Sequence, residues 1–122
     1  MTNEEFKNYY KSASEEDKKH IDSLIGDNLS HYPIVKHFKR ETMTEAEIYN
    51  IPKKYFYKIL NVSVHSETKE MLVNYEALYI DEKAGIEKGH ICSRPVEMFI
   101  SKVDTDKYPN IKQKYRFEAV VN

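Results

Sequence analysis

Six cationic or proton-switching side chains stand at the ends of apolar runs or in turns: His37, Lys39, Arg40, His65, Arg94 and Arg116. Tyr75 and Tyr79 lie in one run between them. Arginine offers a planar fork of donors that fits phosphate and carboxylate oxygens, and a tyrosine ring offers a face on which a base can stack. If the strands curl these ends together, the eight residues form a surface for a nucleotide-like or nucleic-acid ligand, with Tyr55 and Tyr115 beside them. The competing assignment pairs Arg94 and Arg116 internally with Glu76, Glu97 or Glu118 and leaves the tyrosines to cover the edges of the core.

Other chemistries are less well served. His90 and Cys92 would share one face of a strand. A structural zinc site takes four ligands from two close pairs, and no second pair follows, so no metal is expected. Cys92 is the single cysteine, which rules out a disulfide within the chain. As a nucleophile it would need a base such as His37, His65 or His90, and no local signature marks one. Gly26, Gly85 and Gly89 are too scattered to cradle a phosphate. The reading is therefore non-catalytic, without a cofactor. A small hydrolase or nucleotide-modifying enzyme is the contrasting case, and it would need His65 paired with Glu67 or Glu97 in a cleft.

The chain has 122 residues, room for one core, and a formal net charge of −1. That balance argues against a dedicated duplex-DNA binder. Hydrophobic residues make up 40%, which argues against disorder. The first residues are polar and acidic, and no stretch is long and apolar enough to span a membrane. A cytoplasmic location is expected, and the sequons at Asn28 and Asn61 carry no weight there.

The elements that must position these residues follow from local signals. Thr2 with Glu5 predicts a capping box for a first helix through about Tyr10. Ser14 predicts the cap of a second helix, with Ile21, Leu24 and Ile25 as its apolar stripe and Gly26 at its end. Tyr32 to Phe38 reads as a strand. Thr44 with Glu47 caps a helical turn before Pro52. Tyr55 to Val64 is the strongest strand, and simple alternation puts Leu60, Val62 and Val64 on one face and Tyr57 and Ile59 on the other. The polar turn from His65 to Lys69 leads into a strand from Glu70 to about Ile80, forming a hairpin. Ile91 to Ser93 is a short strand, Val96 to Met98 a helical turn, and Tyr115 to Val121 the last strand. The fold class is α+β, mostly β: a small barrel or bent antiparallel sheet over residues 31–122, behind a helical arm over residues 1–30.

Five runs occur in a telling order: Lys36-His37-Phe38-Lys39, His65-Ser66-Glu67-Thr68, Tyr75-Glu76-Ala77-Leu78-Tyr79, Arg94-Pro95-Val96-Glu97-Met98-Phe99, and Lys107-Tyr108-Pro109 through Tyr115-Arg116-Phe117-Glu118. Together they resemble the small bacterial and phage family catalogued as domain of unknown function 1653, over about residues 32–121. The resemblance implies a short SH3-like β-barrel and carries no catalytic residues. The chain departs from the family pattern at Arg40, where a glycine is usual, in an insertion reaching about Lys53, and in a longer loop from Asp81 to His90. Two functional expectations result. The first is a non-catalytic binding module for a nucleotide or single-stranded nucleic acid. The second is an inhibitor of a host protein, of phage or prophage type, that uses the arm and the enlarged loops. An unpaired sheet edge would also permit a homodimer.

Overall fold

The structure is a computed structural model that describes residues 1–26 and 33–120. Two capped helices come first. The Thr2 hydroxyl accepts the Glu5 N–H at 3.2 Å, and the Glu5 carboxylate accepts the Thr2 N–H at 3.0 Å. This box opens α1 (Asn3–Ser12), which buries none of its residues. Ser14 accepts the Asp17 N–H at 3.1 Å and opens α2 (Glu15–Ile25), which buries His20, Ile21 and Leu24. Gly26 ends the helix as expected, but with φ −69° and not the left-handed angle common at such an end. Its role is clearance: a Cβ there would stand 2.6 Å from the Asp22 carbonyl oxygen. The sequon at Asn28, the predicted start of the first strand at Tyr32 and the predicted end of the last at Val121 lie outside the described residues.

Five strands form one antiparallel sheet in the order β4-β3-β2-β1-β5. They are β1 (Ile34–His37), β2 (Phe56–Val64), β3 (Met71–Ala77), β4 (Ile91–Pro95) and β5 (Phe117–Ala119). The sheet is open, so the bent-sheet form of the expectation is the one found. Paired residues of antiparallel strands share a face. His37 faces Phe117, Ile59 faces Tyr75, and Val73 faces Arg94, which places the core, His37 and Arg94 on the same inner side. On the outer side Asn74 bonds Asn61 at 2.6 Å and Ser93 at 2.5 Å.

One register shift corrects the alternation read from sequence. Ile59 pairs with Tyr75, but Asn61 pairs with Asn74 and Val62 with Val73. Leu60 is thus an extra residue on β2. A bulge of this kind resets the two-residue period, so Val62 and Val64 share the face of Tyr57 and Ile59.

The core sits between the inner face and two helices. Phe99, in the one-turn helix α4 (Val96–Phe99), stacks on Phe117 with ring centroids 4.2 Å apart. Ile21 and Leu24 of α2 belong to the same buried cluster as Val35, Ile59 and Val73. Polar bonds fasten α2 to the segment entering β5. The His20 Nε2–H donates to the Phe117 carbonyl at 2.7 Å, its ring stacks on Tyr115 at 3.6 Å, and the Tyr115 hydroxyl donates to Asp17 at 2.6 Å. The arm and the sheet therefore share one core.

The insertion after β1 holds a short 3₁₀ turn (Phe38–Thr42) and α3 (Glu45–Asn50), capped by Thr44 and Glu47 as expected. It meets the enlarged loop through an ion pair between Lys54 and Asp81 at 2.9 Å. The two segments line an open groove of about 840 Å³ with Ile51, Pro52, Leu78 and Ile80 on its walls. No helix among the described residues is long and apolar enough to cross a membrane.

Candidate functional site

His37 ends β1 and is buried. Its Nδ1 accepts the Lys39 N–H at 3.1 Å as the chain turns into the 3₁₀ segment. An accepting Nδ1 fixes the neutral tautomer, with its proton on Nε2. Burial pushes the imidazole down to about 3 from its ordinary value, and the charges of Arg94, Lys39 and Arg116 push the same way. The ring meets Phe117 edge to face, with centroids 4.9 Å apart. His37 is therefore a fixed N–H donor and not a cation.

Arg94 comes from β4. Its Nε donates to the Tyr75 hydroxyl at 3.2 Å, and its guanidinium lies 5.5 Å from the Phe117 ring centroid. Arg116 is held just before β5 by its backbone. Its N–H donates to the Ser101 carbonyl at 2.8 Å, and its own carbonyl accepts the Phe38 N–H at 3.0 Å. Its side-chain Nε is buried without a hydrogen-bond partner. Burial lowers the Arg116 guanidinium from its ordinary value, and the Arg94 charge adds to this, while the Tyr75 and Tyr108 hydroxyls act in the opposite sense. Two guanidiniums, a neutral imidazole and two phenols thus lie within electrostatic reach of one another.

The carboxylates that could have neutralised the pair are elsewhere. Glu97 holds the Met1 ammonium at 2.6 Å, together with Glu70. Glu118 accepts the Lys114 and Tyr115 N–H groups at 3.2 and 3.1 Å. Among the described residues no ion pair includes Arg94, Arg116 or Glu76. Two arginines that repel each other, with a buried donor left over, create a strong local demand for an anion.

The eight residues singled out in the sequence divide here. His37, Tyr75, Arg94 and Arg116 come together, with Lys39 exposed at the edge. Arg40 does not join them. Its Nη1 donates to the carbonyls of Pro52 at 2.7 Å and Lys54 at 3.1 Å, and its guanidinium covers the Phe56 ring at 4.9 Å. His65 caps its own hairpin turn, accepting the N–H groups of Glu67 and Thr68 at 3.2 Å each. Tyr79 is buried and shares a 2.8 Å hydrogen bond with the Tyr57 hydroxyl. Tyr115 serves the α2 attachment instead. Phe117 and Tyr108 were not singled out, although both lie in the family-like runs. Phe117 is the shelf under Arg94, and Tyr108 packs edge-on against Phe38 at 4.8 Å.

The neutral state of His37 has a measurable consequence. Unfolded, a histidine takes up its proton near pH 6.5, whereas here it does so only near 3. Between those values the unfolded chain binds more protons, so this contribution to stability is complete above about pH 6.5 and is lost as the pH falls toward 3. His20, lowered mainly by burial, acts in the same direction. Urea unfolding at about pH 7, 6 and 5 is expected to show stability falling by up to about 1.4 kcal/mol per unit for each such histidine. That range lies above carboxylate titration. His37→Asn should flatten the slope, and a flat wild-type profile would contradict a neutral, buried His37.

A family model described as "Protein of unknown function (DUF1653)" matches residues 33–119. No curated protein and no solved structure matches the chain.

Proposed function

We propose that this chain, which belongs to the DUF1653 family, is a non-catalytic binding module for a phosphate-bearing ligand of nucleotide or single-stranded nucleic-acid type. The observation that carries the reading is the Arg94–Arg116 pair, which has no carboxylate partner and lies beside the neutral N–H donor of His37. An anion placed there would quench the repulsion between the guanidiniums and accept the His37 Nε2–H. Tyr75 already holds Arg94 in place, and Lys39 adds an exposed charge at the rim. The setting proposed is an SH3-like scaffold in a cytoplasmic protein of bacterial or phage type.

Isothermal titration with adenosine 5′-monophosphate and with a short single-stranded oligonucleotide, each over a range of salt, tests the reading. Binding should weaken steadily as salt rises. For the oligonucleotide, the slope of log affinity against log salt should be about −0.7 for each phosphate held. Failure of both probes to bind at low salt would reject the proposal.

A further inference from the structure

Among the described residues, Tyr55 is one of two non-glycine residues with a left-handed backbone, at φ 73°. Such a conformation persists only where the surroundings enforce it, and it is commonest at functional sites. Here the surroundings are explicit. Arg40 bonds the carbonyl of Lys54, immediately before Tyr55, and covers the ring of Phe56, immediately after it. Lys54 is anchored to Asp81, and its ammonium lies 5.3 Å from the centroid of the Tyr55 ring. The Tyr55 carbonyl accepts the His37 N–H at 2.9 Å. The Tyr55 ring is half-buried and stands 6.0 Å from the His37 ring and 6.3 Å from that of Tyr79. The insertion, the Arg40 clamp and the enlarged loop thus converge on the placement of one aromatic ring beside the imidazole of the anion site.

We infer that Tyr55 is the specificity-determining wall of the site, a stacking face that selects a ligand carrying a planar base next to its phosphate. The inference rests on the anion-binding reading above and deepens it. Phosphate contacts cannot tell a nucleotide from a sugar phosphate, because both present the same oxygens. A ring one aromatic spacing away from His37 can, because only a base offers it a face. Arg40 is then a positioning residue that acts through the backbone on either side of Tyr55.

The test compares adenosine 5′-monophosphate, ribose 5-phosphate and inorganic phosphate by isothermal titration against the full chain and against Tyr55→Asn and Tyr55→Phe. The wild type should bind the nucleotide about tenfold or more tightly than the sugar phosphate, as base–aromatic stacking allows. Tyr55→Asn should erase that preference and leave ribose 5-phosphate affinity unchanged. Its melting temperature should hold or rise, because asparagine tolerates positive φ. Tyr55→Phe should keep the preference. Equal wild-type affinity for nucleotide and sugar phosphate would overturn the inference while sparing the anion site. So would an equal loss for both ligands in Tyr55→Asn. If none of the three probes binds, the anion site fails and the inference falls with it. An oligothymidylate without terminal phosphates identifies the source of the base: tighter binding than the mononucleotide points to a strand, weaker binding to a free nucleotide, and both support the stacking role.

Discussion

Replacing Arg94 and Arg116 together by methionine is expected to weaken nucleotide binding at least a hundredfold while leaving the fold as stable as before, or more so. Hydrogen bonds from a charged donor contribute about 1.5–3 kcal/mol each, so losing two guanidiniums removes most of the affinity. Stability should respond differently. The two charges repel each other, and the buried Arg116 Nε has no partner. Methionine keeps the apolar stem that packs over Phe117 and discards the desolvated head. The bond from Arg94 to Tyr75 is lost, which costs about 1 kcal/mol. The unfolding free energy should therefore lie within about 1 kcal/mol of the wild-type value, or above it. Ligand at a hundred times its Kd should stabilise the wild type by about 2.7 kcal/mol and leave the double variant unmoved. Urea unfolding with and without nucleotide checks both statements. A double variant that loses several kcal/mol in the absence of ligand would mark the pair as structural.

Phe117→Ala should have the opposite profile, failing first as a fold. The ring is 1% exposed. It stacks on Phe99 and meets Tyr57 and Tyr75 edge to face, with centroids 5.8 and 5.5 Å away. Removing a buried phenylalanine of this kind costs about 3–5 kcal/mol, a large share of the 5–15 kcal/mol or so that holds an ordinary domain together. Phe117 is also the shelf under Arg94 and the edge contact of His37, so the site should loosen along with the core. Phe117→Leu separates the two effects: it should retain most of the stability and still lose affinity, because no aromatic face supports the guanidinium. A loss below about 1 kcal/mol for the alanine variant would contradict the packing described between α4, the inner sheet face and β5.

The parts of the fold legible in the sequence are those set by neighbours along the chain. The Thr2 and Thr44 capping boxes and the Ser14 cap each need only residues three apart, and all three form as read. The hairpin turn at His65 was legible for the same reason. The bulge at Leu60 was not, because it is defined by what β3 offers across the ladder. Whether the sheet closes was equally hidden, since it depends on which edges find partners. The candidate site residues show the same division. Residue type picked out His37, Arg94 and Arg116 together with Arg40 and His65, which look equivalent on paper. Their fates diverge on contacts far away in sequence. Arg40 meets the carbonyls of a loop folded back on it, and Glu97, one of the expected carboxylate partners, is taken by Met1. Tyr55 stood out only as an aromatic neighbour, because a backbone angle leaves no mark in composition.

The pairing of β1 with β5 also bears on when the protein can first act during its synthesis. The hairpins joining β2, β3 and β4 can form from nearby segments while later residues are still being added. β1 can add to β2 in the same way, but its outer edge has to wait for β5, and the polar attachment of α2 waits for the same residues, because His20 reaches the Phe117 carbonyl. Arg116, just before β5, and Phe117, within it, complete the proposed anion site, and Phe117 also closes the core. A nascent chain therefore lacks two of the residues grouped around Arg94 until its last segment is made. At the proposed site, competence to bind therefore arrives with the same segment that completes the core.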